Sequence, residues 1–267
     1  MERIGCIGVG NMGSAIASVL VKSAGPDALW VSSRTMDKAE AVAAKLGAHA
    51  STNRDIAASA QVIFLGVKPQ LMAGMLADIA PILASRKDRF LLVSMAGGHT
   101  AEHIMEMSGG QYPVLRIMPN TPSGVGAGMI PYCGNALATA EDMALLERLL
   151  APAGRVEPLG EHLIEAASSV SGCGPAFMCV FLEAMADAGV ACGLPRKSAL
   201  EYAAQTMLGT AKLVLESGMH PAALKDQVCS PGGSTIRGVH ALEKYGLRAA
   251  VEEAVLAAFA RNNELGK

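Results

Sequence analysis

The chain has 267 residues, enough for about two domains at roughly 150 residues each and for a full core. Apolar residues make up 51% and charged residues 17%, and 22 Lys+Arg against 24 Asp+Glu leave a net charge of −2, which excludes a disordered chain and offers no basic footprint for nucleic acid. Aromatics fall to 4% while Gly reaches 29 and Met 15, so the core must come from small and medium aliphatic side chains that let elements pack closely.

In chain order, 3–7, 29–32, 62–66, 90–94 and 114–118 are short apolar runs bounded by Gly, Pro or Ser and predict buried strands. Between them 12–23, 38–46 and 70–83 have helical length and periodicity, so the pattern is βαβ with a mostly parallel sheet. A further strand is expected over 125–132. Thr139-Ala140-Glu141-Asp142 has capping-box form ahead of a helix over 140–150, and 155–158 can close the sheet. Beyond Gly160 no strand pattern remains, only Ala-, Leu- and Met-rich helical stretches over 176–192, 195–217, 221–229, 234–244 and 247–263. The expected division is therefore an α/β domain over 1–160 and an all-helical domain over 161–267.

Ala166 to Leu194 carries only Glu183 and Asp187 as charges, so a helix there is apolar nearly all round and has to be enclosed. A second subunit is the expected cover, with packing under the chain's own α/β domain as the alternative. The uncharged stretch 166–182 is interrupted by Gly172-Cys173-Gly174-Pro175 and predicts a buried helix entrance, with no membrane contact expected. Six scattered cysteines, Cys6, Cys133, Cys173, Cys179, Cys192 and Cys229, form no C-x-x-C pair and predict reduced thiols in the cytoplasm. Met1-Glu2-Arg3 leads straight into the first strand pattern, so no secretory signal is expected.

Gly8-Val9-Gly10-Asn11-Met12-Gly13 matches G-x-G-x-x-G between the first strand and the first helix. The first glycine permits the tight turn, the second lets backbone approach a pyrophosphate, and the third lets helix pack on strand. In a chain with 29 glycines the string alone arises by chance about one time in three, so its place in the first βα turn carries the argument for a Rossmann-type dinucleotide site. Where a site for NAD would carry Asp or Glu, the second strand ends in Val31-Ser32-Ser33-Arg34-Thr35, with Lys38 one turn later. Arg34 can pair with a 2′-phosphate and Ser33 and Thr35 can donate hydroxyls, which favours NADPH and leaves NADH as a weaker donor. Val67-Lys68-Pro69, Ala96-Gly97 and Asn120 follow later strands, at the edge where ligands of such sheets bind. Asn120, bracketed by Pro119 and Pro122, can face the nicotinamide or satisfy a buried turn.

Ser230-Pro231-Gly232-Gly233-Ser234-Thr235 opens a helix pattern, so several backbone N–H groups converge there with the positive end of the helix dipole behind them. This suits a small carboxylate, held by Ser230, Gly232, Gly233, Ser234 and Thr235. The Thr235 hydroxyl can turn to a ligand or back onto the helix as a cap.

Residues 221–236, with Ala241-Leu242-Glu243, resemble the signature segment of the pyrroline-5-carboxylate reductases. Gly8 to Met12, 67–70, 118–122, 171–175 and 193–196 fall in that family's order along the whole chain. The resemblance implies a Rossmann-type domain followed by a helical dimerisation domain. It also implies NADPH-dependent reduction of 1-pyrroline-5-carboxylate to proline by a homodimer or a higher assembly, up to a decamer, with intertwined helical domains. It implies further that Ser230, Gly233 and Ser234 hold the substrate carboxylate and that Thr235, the catalytic residue, bonds the ring nitrogen. Cys173 and Phe177 depart from the Ser and Tyr usual in the family. No metal is implied.

Three rival readings remain. His99-Thr100-Ala101-Glu102-His103 has the H-x-x-E-H form of inverted zinc peptidases, but Gly97-Gly98 before it puts His99 ahead of the helix and off the face of His103. A β-hydroxyacid dehydrogenase would need a catalytic Lys early in the second domain, and residues 163–196 contain no Lys. A dinucleotide sensor without catalysis would not need the 230–235 pocket.

Overall fold

The computed structural model describes residues 3–265, so Met1 and Glu2 of the expected leader-free start lie outside it. Its chain divides into two compact units: one runs up to Cys173 and takes in the residues from Ala258 on, the other is Gly174–Ala257.

The first unit is built on one eight-stranded sheet: β1 (Ile4–Ile7), β2 (Leu29–Ser32), β3 (His49–Ala50), β4 (Val62–Leu65), β5 (Leu91–Ser94), β6 (Val114–Ile117), β7 (Gly128–Gly134) and β8 (Gly154–Pro158). The order is β3-β2-β1-β4-β5-β6-β7-β8, and every pairing is parallel except β6 with β7. Strands β1, β4, β5 and β6 are buried at every residue, as central strands covered on both faces must be. The helices of this unit are α1 (Asn11–Ala24), α2 (Met36–Leu46), α3 (Asn53–Ser59), α4 (Pro69–Ser85), α5 (Ala101–Met107), α6 (Ala140–Leu150) and α7 (Ile164–Ala167). They enclose two apolar clusters, one around Ile16, Leu20 and Phe64 and one around Ile63, Leu76 and Ile104.

Three local readings are corrected. No strand is expected between 32 and 62, yet β3 pairs parallel with β2 at the sheet edge, too short at two residues to show an apolar run. The strand expected over 125–132 is β7, Gly128–Gly134: Thr121–Val125 is a 3₁₀ turn closed by Gly126 at φ 78°, so the extended run starts later. The expected helices also omit α3 and α5, each begun by a threonine whose hydroxyl accepts from a backbone N–H three residues on: Thr52 from Asp55 and Thr100 from His103. The Thr139–Asp142 capping box is present in full.

The 161–173 segment belongs to the α/β unit by its contacts, although among the described residues no strand follows β8. Arg116 of β6, with its side chain 3% exposed, is ion-paired with Glu165 and lies 3.9 Å from Glu161. Residues 168–172 form a π-helical turn whose Ser168 and Ser169 are buried. The Asn262 amide donates to Ser169 Oγ at 3.1 Å, which ties the last turns of the chain to the same unit.

The second unit consists of α8 (Gly174–Ala191), α9 (Arg196–Ser217), α10 (Pro221–Val228), α11 (Ser234–Lys244) and most of α12 (Leu247–Leu265). Helices α8 and α9 pack through small residues: Ala186, Ala199 and Ala203 are buried, and a Cβ on Gly189 would stand 3.1 Å from that of Ala199. Ala186 is the one residue of α8 that is buried. Met178, Val180 and Met185 of α8 and Leu208 and Leu215 of α9 are exposed, so the helical unit by itself does not enclose α8.

Candidate active site

Five loops of the α/β unit stand at the carboxyl ends of parallel strands, after β1, β2, β4, β5 and β6. After β1 the chain turns at Gly8, φ 98°, where a Cβ would lie 2.7–2.8 Å from backbone and side-chain atoms of Gly66 and Val67. A Cβ on Gly13 would stand 2.0 Å from the Gly8 carbonyl oxygen, so this glycine lets α1 pack on the turn. Gly10 is different: its φ of −74° suits any residue, and beyond its own chain neighbours no described atom lies within 4 Å of a Cβ placed there. The space it leaves is open, which fits a bound pyrophosphate above the N-terminus of α1. No side chain caps that helix and no acid sits in its first turn, so the leading N–H groups at Asn11, Met12 and Gly13 remain for an anion. The Gly8 and Val9 N–H groups are already spent on the Ser32 carbonyl, at 2.9 and 3.2 Å.

At the end of β2, Ser32 is buried and donates to Asn53 Oδ1 at 2.7 Å, while Ser33 is half-buried and Arg34 and Thr35 are exposed. Arg34 has no ion pair among the described residues. Thr35 is the N-cap of α2 by position, yet its side chain makes no capping bond. Both side chains are thus available to a phosphate. The acid next in the sequence, Asp37, lies within the first turn of α2.

Lys68 is the exposed N-cap of α4 and Pro69 its first residue. Ala96 is buried, its N–H donating to Ser94 Oγ at 3.2 Å, and Gly97 is half-buried. Pro69, Gly97 and Gly98 wall a cavity of about 100 Å³ together with Glu165, Ser168 and Asn262. Asn120 is buried with both ends of its amide engaged: Nδ2 donates to the Ser171 carbonyl at 2.9 Å, and Oδ1 accepts from the Met129 N–H at 3.1 Å. Of its two readings, the side chain satisfies the buried one, joining the post-β6 loop to β7 and to the π-helical turn.

In the helical unit, Gly232 at φ 71° turns the chain, the Gly233 N–H donates to the Ser230 carbonyl at 3.1 Å, and α11 begins at Ser234 with Gly233 as N-cap. No side chain caps this helix, so Thr235, its second residue, does not spend its hydroxyl as a cap. Ser230, Gly232, Ser234 and Thr235 are exposed and Gly233 is half-buried. The leading N–H groups of α11 therefore point out of the helix with the dipole behind them.

The zinc-peptidase spacing does not form. His99 precedes α5 while His103 lies within its first turn, and their rings meet edge to face at 5.0 Å. Among the described residues no group of three or more His, Cys, Asp or Glu side chains is placed to hold a metal ion.

Comparison with known proteins places these loops in a family context. A family model described as pyrroline-5-carboxylate reductase dimerisation matches residues 161–265, and one described as NADP oxidoreductase coenzyme F420-dependent matches residues 3–98. The chain is similar to the pyrroline-5-carboxylate reductase of Escherichia coli K12, 42% identical with 100% of this chain and 99% of that protein covered. Among solved structures it is similar to the Coxiella burnetii pyrroline-5-carboxylate reductase, at TM-score 0.89 and 32% identity, covering 100% of this chain and 99% of that one. It also matches the Plasmodium falciparum pyrroline carboxylate reductase with NADP bound, at TM-score 0.88 and 30% identity, with coverage of 100% and 98%.

Proposed function

The chain belongs to the pyrroline-5-carboxylate reductase family, and from that premise we propose how its own residues reduce the C=N bond of 1-pyrroline-5-carboxylate to L-proline with hydride from NADPH. The observation that carries the cofactor half is the open space over Gly10 beside the uncapped N-terminus of α1. Asn11, Met12 and Gly13 offer their N–H groups to the pyrophosphate there, and Gly8 and Gly13 hold the turn that aims them. Ser33, Arg34 and Thr35 take the 2′-phosphate. Arg34, exposed and without an ion pair, supplies the charge that separates NADPH from NADH, which remains a weaker donor. Val67, Lys68, Pro69, Ala96 and Gly97 line the nicotinamide end, and Asn120 keeps the neighbouring loop rigid.

In the helical unit, the substrate carboxylate is received at the Ser230, Gly232, Gly233 and Ser234 turn, on the unspent N–H groups that α11 offers from Ser234 on, while the Gly233 N–H holds the turn closed on the Ser230 carbonyl. Thr235 hydrogen-bonds the ring nitrogen and fixes the direction of the C=N bond. When bound, NADPH supplies a hydride from C4 of its nicotinamide. The imine is reactive as the protonated iminium: the hydride adds to the imine carbon, the π pair moves to a nitrogen that already holds its proton, and the product is the neutral ring amine. Acid–base chemistry asks little of the protein, so its contribution is orientation and fixed dipoles.

The apolar faces of α8 and α9 support a homodimer in which a second copy covers them, with a decamer as the higher form to be read from mass in solution. Residues 161–191 are long and apolar enough to cross a membrane by length and composition. Against that use, Glu165 is held by Arg116 in the sheet, Ser168 and Ser169 are buried in the α/β unit, and Glu183 and Asp187 interrupt what remains. The six unpaired thiols fit a reducing compartment, the cytoplasm.

The test is NADPH oxidation with 1-pyrroline-5-carboxylate by the parent, Thr235→Ala and Arg34→Ala. The expected result is turnover by the parent, about a tenfold or larger fall in kcat for Thr235→Ala, and a KM for NADPH raised roughly tenfold by Arg34→Ala with the KM for NADH unchanged. A parent that binds NADPH but reduces no cyclic imine would sink the substrate assignment.

A further inference from the structure

His99 is left over by the chemistry above, yet it sits between two of the cofactor loops. Gly98 adopts φ 78°, a left-handed turn that sends the chain back after Gly97, and the His99 ring then reaches the start of α4. Its Nε2 lies 3.3 Å from the carbonyl oxygen of Pro69. A carbonyl only accepts, so Nε2 carries a proton toward it, and Nδ1 is buried with no hydrogen-bond partner among the described residues. On its other side the ring meets that of His103 edge-on, at 5.0 Å and 85°. The backbone of His103 is held where it stands, because its main-chain N–H donates to the Thr100 hydroxyl that caps α5. The imidazole is therefore clamped by packing on one side and spends its Nε2 donor on the Val67–Pro69 loop on the other.

We propose that His99 is a positioning residue for the cofactor: its hydrogen bond to Pro69 joins the loop after β4 to the loop after β5 and sets the spacing between Pro69 and Gly97 at the nicotinamide end. The same two loops form one wall of the 100 Å³ cavity, so their separation is also its width. A buried Nδ1 without a partner is costly to keep, and a plain packing role would be better served by an apolar ring. A donor at Nε2 is what an apolar ring cannot supply. The proposal rests on the reading of these loops as the dinucleotide site.

The test compares His99→Phe, which keeps a ring against His103 but has no donor, with His99→Gln, which restores a side-chain N–H. KM for NADPH, KM for the imine and kcat are measured on each, with the Kd for NADPH from its fluorescence and Tm as the control for folding. The expected result is a KM and Kd for NADPH raised roughly five- to tenfold in His99→Phe, with the imine KM within about twofold, and at least partial recovery in His99→Gln. Parent-like NADPH binding in His99→Phe would overturn the proposal. So would equal impairment of the two variants, or a loss spread evenly over both KM values and kcat. Gly10→Val, which fills the pyrophosphate space, separates the two levels. If it abolishes NADPH binding while the His99 variants bind normally, only the role of His99 fails; if it too binds normally, the dinucleotide reading of the loops fails.

Discussion

The two units treat similar apolar material in opposite ways. In the α/β unit the four central strands are buried at every position, and Ile4, Phe64, Leu92 and Leu115 are fully covered by the chain itself. In the helical unit α8 buries Ala186 alone, and Val180 stays 68% exposed. The difference follows from where each element finds its hydrogen bonds. A strand needs neighbours for its backbone, and those neighbours with their crossover helices bring cover for its side chains. A helix satisfies its backbone internally, so nothing in its own formation supplies a partner for an apolar face, and that face becomes a surface for association. The strands of the first unit are thus covered within a single copy, whereas the apolar face of α8 is the surface we propose for a second copy.

This contrast can be broken most forcefully at Val180. A Val180→Asp change places a carboxylate, and by symmetry a second one, in the face we assign to the dimer. Ion desolvation of several kcal/mol each is expected to yield monomers or aggregates by ultracentrifugation, with the α/β unit still folded by circular dichroism. A stable dimer would show that α8 is not covered by a second copy. Phe64→Ala addresses the other unit. Emptying a fully buried site in β4 should cost about 3–5 kcal/mol, and the loss in denaturant titrations should be the same at all protein concentrations, whereas that of Val180→Asp depends on concentration.

Thiol labelling sharpens the comparison with the smallest perturbation. Burial pushes the thiols of Cys6 and Cys133 up to about 12, so both stay protonated at pH 8 and should resist iodoacetamide in the parent and in Val180→Asp alike. Cys179 on α8 is exposed in the single chain. It should label slowly in the parent and several-fold faster in Val180→Asp, read by mass spectrometry; equal rates would argue that no second copy covers α8.

Much of the architecture was legible from periodicity. Every strand of the sheet except the two-residue β3, and every long helix, falls within a few residues of where apolar runs and caps put it, and α11 begins and ends as expected. The short helices α3 and α5 were not legible from apolar period, since seven residues make barely two turns. Their signal was chemical: Thr52 and Thr100 stand three residues before Asp55 and His103. At the candidate site, the glycine turn after β1 and the 230–235 turn were readable because each is a feature of its own local backbone. Asn120 was not, because its role is decided by Ser171, 51 positions away.

From the residues alone, then, follow the α/β-then-helical order, the glycine turn between β1 and α1, the absence of an acid at the end of β2, and the glycine turn that opens α11. These are local properties, fixed by side-chain period, by glycine and by the polarity of a helix end. The tertiary structure alone decides that Asn120 is spent inside the fold, that Arg116 draws Glu165 and the 161–173 segment onto the sheet, that His99 bridges to Pro69, and that α8 stays uncovered. Each of these depends on which distant residues meet, and no local pattern in a chain carries that information.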